Sequence, residues 1–212
     1  DTGGGTPQLA LTLGATTRQA TYLSGSGTSA LVFRYTVQAG DSDSDGIAVA
    51  ASIDANGGTM RDAAANDLNT TLNGVGATTS VLVDAVAPTL QTLNPADGAS
   101  NVAVDANFVM TFSEDITLGA GDIVIYDSAD TPVVSIDVAS NGGQLSIANN
   151  ELTINPTADL NENTSYYIQL ANSAITDLAG TPYAGIADNT SWNFTVADIT
   201  PPTVTAITVN GA

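Results

Sequence analysis

Residues 108–112 read Phe108-Val109-Met110-Thr111-Phe112, three large apolar side chains set two apart. Successive side chains on a strand point to opposite faces, so this stretch offers one core face made of Phe108, Met110 and Phe112. The same period of two recurs in Leu9, Leu11 and Leu13, in Tyr166, Ile168 and Leu170, and in Trp192, Phe194 and Val196. It recurs again where Leu31, Phe33, Tyr35 and Val37 alternate with Arg34, Thr36 and Gln38. Turn-formers separate these runs: Ser24-Gly25-Ser26-Gly27, Asn56-Gly57-Gly58, Asn141-Gly142-Gly143 and Asn149-Asn150. Many short alternating runs with such punctuation predict an all-β chain of antiparallel sandwich type. One exception stands out, since Met60, Ala64 and Leu68 share a helical face and predict a short helix over 60–68.

Composition narrows the chemistry. Among 212 residues there are 22 acidic and 3 basic side chains, no histidine and no cysteine, for a net charge of -19. The basic residues are Arg18, Arg34 and Arg61. Such a chain repels phosphate, which excludes nucleic acid and anionic membrane as partners. Without His or Cys there is no zinc finger, no Ser-His-Asp or Cys-His catalysis and no disulfide. No apolar run approaches the ~18 residues of a membrane span. Hard oxygen ligands remain in abundance, and that donor set suits calcium. Acidity, missing lysine and abundant Thr, Ser, Asn and Gly lead us to expect a segment of a longer, exported bacterial protein.

The chain also repeats itself. Val83-Asp84-Ala85-Val86-Ala87-Pro88-Thr89-Leu90 is echoed by Ala197-Asp198-Ile199-Thr200-Pro201-Pro202-Thr203-Val204. In each, a strand ends in Asp and a proline fixes φ before a new strand opens, as expected at a module junction. Modules are therefore expected at 1–86 and 87–198, with 199–212 as the first strand of a third.

Several stretches of the second module match a known pattern in order. They are Asn94-Pro95-Ala96-Asp97-Gly98-Ala99, Met110-Thr111-Phe112-Ser113-Glu114-Asp115-Ile116, Leu152-Thr153-Ile154-Asn155-Pro156, Asn163-Thr164-Ser165-Tyr166-Tyr167, Ile175-Thr176-Asp177-Leu178-Ala179-Gly180 and Trp192-Asn193-Phe194-Thr195. This module resembles the SbsA-type bacterial Ig-like domain. The first module resembles another bacterial Ig-like repeat through Tyr35-Thr36-Val37-Gln38-Ala39-Gly40-Asp41, Asp45-Gly46-Ile47 and Asn56-Gly57-Gly58-Thr59. The resemblance implies two tandem antiparallel Ig-like β-sandwiches joined end to end, as in the extender repeats of large bacterial adhesins and S-layer proteins. It implies a non-catalytic spacer on the cell surface whose partners are neighbouring modules of the same chain.

The sharpest local motif is Asp41-Ser42-Asp43-Ser44-Asp45-Gly46. Alternate Asp residues before a Gly can wrap one calcium ion. An EF-hand is ruled out because Ser52 stands where the bidentate Glu would be. Counting strand directions brings this loop to the same pole as Asp84, so Asp41, Asp43, Asp45 and Asp84 are the expected calcium ligands, with Asp62 as a possible fifth. Family resemblance implies a comparable junction role for Glu114 and Asp198. Asp97 is a candidate to reach back toward the Asp84 ion, and for Asp177 a turn role and a ligand role are both open. The rival function is carbohydrate binding, which needs exposed aromatics; Tyr126, Tyr167 and Tyr183 are the candidates.

Overall fold

The computed structural model describes residues 4–208. It is all-β: the described residues hold seventeen strands and one single-turn 3-10 helix, Val138–Ser140, and no α-helix. They divide into two units, Asp1–Val86 and Ala87–Ala212.

The first unit is built on a four-stranded antiparallel sheet. Strands β1 (Gln8–Leu13), β2 (Thr16–Ser24), β3 (Val32–Arg34) and β5 (Ala48–Val49) lie in the order β3-β2-β1-β5. A second, two-residue pairing joins β4 (Ser42–Asp43) to β6 (Val83–Asp84). Its apolar core is thin, with Leu13, Ala20 and Met60 buried. A cavity of about 560 Å³ opens among Leu9, Phe33, Ile53, Met60 and Leu72.

Two local expectations fail here. The alternating run from Leu31 to Gln38 is strand only at Val32–Arg34. Beyond it, the Asp41 carboxylate accepts from the Gln38 backbone N–H, so a local side chain takes a donor that a ladder would use, and the Tyr35 hydroxyl donates to the same carboxylate. The helix expected over 60–68 is absent. The Asp62 carboxylate instead accepts from the backbone of Ala64 and Asn66 and from the Asn66 amide. Ala65 sits at φ 66°, and Leu68 N–H donates to the Met60 carbonyl at 2.7 Å, closing a loop. An Asp inside a short helical pattern competes for the backbone donors the helix needs.

The second unit is a β-sandwich. Its strands are β7 (Leu90–Asn94), β8 (Ala99–Val102), β9 (Phe108–Phe112), β10 (Ile116–Leu118), β11 (Asp122–Asp127), β12 (Pro132–Asp137), β13 (Leu145–Ala148), β14 (Glu151–Ile154), β15 (Ser165–Leu170), β16 (Ile175–Asp177) and β17 (Asn193–Val196). One sheet runs β12-β11-β15-β17-β8 and the other β13-β14-β9-β7, with β10-β16 as a short ribbon. Phe108, Met110 and Phe112 are fully buried while Val109 and Thr111 are half-buried, which is the alternation read from the sequence. Trp192 packs edge-on against Phe108 at 5.9 Å between ring centroids, and Phe194 lies 4.8 Å from the same ring. The indole N–H donates to the Pro95 carbonyl at 2.9 Å, so the buried polar atom is satisfied.

Strand directions in this unit fix where the chain enters and leaves. A turn closed by Ala106 N–H to the Ala103 carbonyl reverses β8 into β9. Since β9 is antiparallel to β7, strands β7 and β8 run the same way, stepping from one sheet to the other at Pro95. Strand β17 is parallel to β8, with Phe194 opposite Ala99 and Val196 opposite Val102. The first and last strands thus point in one direction, and the chain enters the unit at one end and leaves at the other. Residues 199–208 carry no strand; the rest of the strand expected over 199–212 lies outside the described residues.

Candidate metal centre

The acidic loop of the first unit is held from inside. Asp41 and Asp43 are buried, at 2% and 4% exposure, whereas Asp45 is exposed. Asp41 accepts from the Tyr35 hydroxyl, from Gln38 N–H at 2.8 Å and from Arg18 Nε at 2.8 Å. The Tyr35 hydroxyl, then Gln38 and Arg18, hold its carboxyl below the usual range. Asp43 accepts from Gly14 N–H at 2.7 Å and from Gly46 N–H at 2.7 Å, and the Gly14 donor above all lowers its pKa. These two carboxylates already have protein donors, so they act as anchors that pin loop to sheet.

Asp84 is brought next to this loop by backbone pairing, Ser42 opposite Asp84 and Asp43 opposite Val83. Its own carboxylate is exposed and accepts from Val86 N–H at 3.2 Å. Asp62 is exposed and occupied by its own turn, chiefly by the Asn66 amide, which lowers its pKa. The expected five-carboxylate cluster is therefore split among an inward pair, two outward-facing acids and a separate turn.

In the second unit Glu114 follows β9, and Asp177 ends β16 opposite Ile116. Each offers a carboxylate oxygen within 4.8 Å of the other. Asp177 is 1% exposed; its Oδ1 accepts from Thr181 N–H at 2.6 Å, while its Oδ2 is buried without a hydrogen-bond partner. Ser113 N–H donates to the Thr89 carbonyl at 2.9 Å, so this pair sits at the end where the chain enters the unit.

Asp198 lies at the other end, where Ala197 N–H donates to the Val102 carbonyl. Its carboxylate accepts from Thr200 N–H at 3.0 Å. The structure does not bring Glu114 and Asp198 together. Asp97, a candidate to reach back toward Asp84, instead accepts from the backbone and side-chain amides of Asn193, both at 2.9 Å.

Sequence reading passed over two acids. Glu162 accepts from Ile199 N–H at 2.9 Å and from the Thr200 hydroxyl, holding the segment that leaves the unit. Asp188 accepts from the backbone N–H and hydroxyl groups of Thr190 and Ser191, led by the Thr190 backbone, which pulls its pKa down to about 2. Asp-x-Thr-Ser is a turn signature that a search for ligand spacing overlooks.

Comparison with known proteins bears on the second unit. A family model described as bacterial Ig-like domain matches residues 84–196. Among solved structures, the crystal structure of CopC from Methylosinus trichosporium OB3b is similar at 15% identity and a TM-score of 0.38, over 55% of this chain and 99% of that one. No curated protein sequence matches.

Proposed function

The chain belongs to the bacterial Ig-like domain family, which residues 84–196 represent, and from that premise we propose that it is a non-catalytic extender segment of a large bacterial surface adhesin. One observation carries the reading: the first and last strands of the second unit run parallel, so each such module advances the chain by its own length. A spacer needs that vector, and a module whose ends emerge together would not supply it. On this reading the segment stands outside the cell and projects a distal binding domain. Calcium is the proposed stiffener. Asp84 is the proposed ligand from the first unit's last strand, on the ground of chain order, and the family match begins at that residue.

The rival reading, carbohydrate binding, has one favourable feature. Tyr126 and Tyr167 stack at 5.1 Å with 12° between ring planes, beside Asp130, Ser128 and Asn189. Yet Tyr167 is 8% exposed and donates its hydroxyl to Asp130, and burial above all pushes its pKa up to about 12. Tyr183 packs edge-on against Phe112 in the core. Rings that cover each other leave little face for a sugar, so the spacer reading is favoured.

The test is display. One, two and three tandem copies of the whole chain are placed between a cell anchor and an epitope, and epitope height is read by super-resolution microscopy. Height is expected to rise with each copy. Constant height, together with glycan-array binding, would favour the rival.

A further inference from the structure

Of the acids in the second unit, Asp177 is the one whose burial lacks an internal explanation. It is 1% exposed, and only its Oδ1 has a protein donor. The Oδ2 is buried and without partner. A carboxylate oxygen buried without a partner loses its hydration with nothing in return, which is costlier than for a neutral polar group. Glu114 makes the problem worse, because it brings a second carboxylate oxygen within 4.8 Å.

No side chain of this unit can neutralise the pair. All three cationic residues of the chain, Arg18, Arg34 and Arg61, lie in the first unit, and residues 87–212 contain no Lys, Arg or His. A bound divalent cation would satisfy the orphaned Asp177 oxygen and offset the charge of both carboxylates at once. We propose that Asp177 and Glu114 hold a divalent cation, calcium by size, at the end where the chain enters the Ig-like unit.

Calcium takes oxygen ligands at ~2.3–2.6 Å, so two ligands on opposite sides of the ion stand about 4.6–5.2 Å apart. The observed spacing of at most 4.8 Å accommodates one ion between the two carboxylates. Asp177 is held rigidly for the task. Its N–H donates to the Thr181 carbonyl at 3.0 Å while Thr181 N–H returns to its Oδ1, which fixes the carboxylate from both sides of the Asp177–Thr181 turn. Glu114, half-buried and on the loop after β9, supplies the adjustable ligand. Water completes the shell. This site deepens the calcium part of the extender reading but does not depend on the chain being a spacer.

The experiment is calorimetric titration of the intact chain with calcium chloride after chelator treatment, paired with thermal unfolding in calcium and in chelator. Asp177→Asn is the central variant, because its amide oxygen can still accept from Thr181 N–H. Wild type is expected to show a site that Asp177→Asn weakens roughly 100-fold or more and Glu114→Gln weakens at least about 10-fold, since losing a direct ligand costs no less than losing an outer-shell partner. Exposed Asp159→Asn should bind as wild type. Chelator should lower the wild-type melting temperature and leave Asp177→Asn unmoved. Unchanged affinity in Asp177→Asn overturns the proposal. So does wild type that ignores chelator while Asp177→Asn melts higher, since no ion then holds the buried oxygen. Should Asp177→Asn fail to fold, the Glu114→Gln affinity decides alone. A lost ion with epitope height still rising per copy would refute the site and spare the extender.

Discussion

Trp192→Ala is expected to destabilise the second unit by about 3–5 kcal/mol, the usual cost of emptying a large buried aromatic site. Trp192 is fully buried. It abuts Phe108, which in turn touches Phe194, so truncation opens a void among three rings from two sheets. The indole also ties β17's approach to the Pro95 carbonyl, where the chain steps between sheets. Trp192→Phe should cost less, retaining most of the volume and losing the N–H donor. Against a domain stability of ~5–15 kcal/mol the alanine variant leaves a marginal fold. Urea denaturation followed by circular dichroism reads the shift. A loss under about 1 kcal/mol, the range of ordinary surface substitutions and small repacking, would mean the core is not organised around these rings.

Gly46→Ala should be strongly damaging to the first unit. Gly46 has φ +104°, and a Cβ there would lie 2.5 Å from the Thr78 carbonyl oxygen, with the Thr79 backbone equally close. Holding alanine in so rare a conformation costs ~1–3 kcal/mol before any clash is counted. The obstructing atoms are backbone and cannot swing aside, and Gly46 N–H must still reach Asp43 at 2.7 Å. A total of roughly 3 kcal/mol or more is expected, a large share of what so thin a core provides. Gly40→Ala is the matched control: φ is +85° but nothing lies within 4 Å of its added Cβ. It should lose only the conformational part. Equal melting temperatures for the two variants would contradict the close approach of the 78–79 backbone.

The pair of glycines shows where sequence reading succeeds and where it stops. Asp41-Ser42-Asp43-Ser44-Asp45-Gly46 was legible as a tight acidic loop, because Asp, Ser and Gly in that order have few other conformations to favour. What spacing does not encode is which way each carboxylate turns. Asp41 and Asp43 find Arg18, Tyr35 and Gly14, donors 6 to 29 residues away in sequence, and swing inward. In the second unit the strand pattern around Phe108–Phe112 carried the fold directly, since a one-residue slip would turn every buried side chain of that strand outward. The helix expected at 60–68 failed because three apolar residues at helical spacing are a weak signal beside one Asp able to cap a turn. Asp177 hid in Asp-Leu-Ala-Gly, where turn and ligand roles use the same residue; only its orphaned oxygen separates them.

Tension is what an extender bears, and the second unit is strung to resist it. Pulling on its two ends loads β7 against β9 in one sheet and, through the step at Pro95, shears the parallel strands β8 and β17 in the other. The first unit ends instead in a two-residue pairing over a thin core. The deciding measurement is single-molecule force spectroscopy on the intact chain, tethered at both termini. The last and strongest event is expected to release the Leu90–Val196 sandwich, roughly 350–390 Å of extended contour less its folded length. A contour step of that size appearing first, at a force no higher than that of the first unit, would contradict an extender built to carry load.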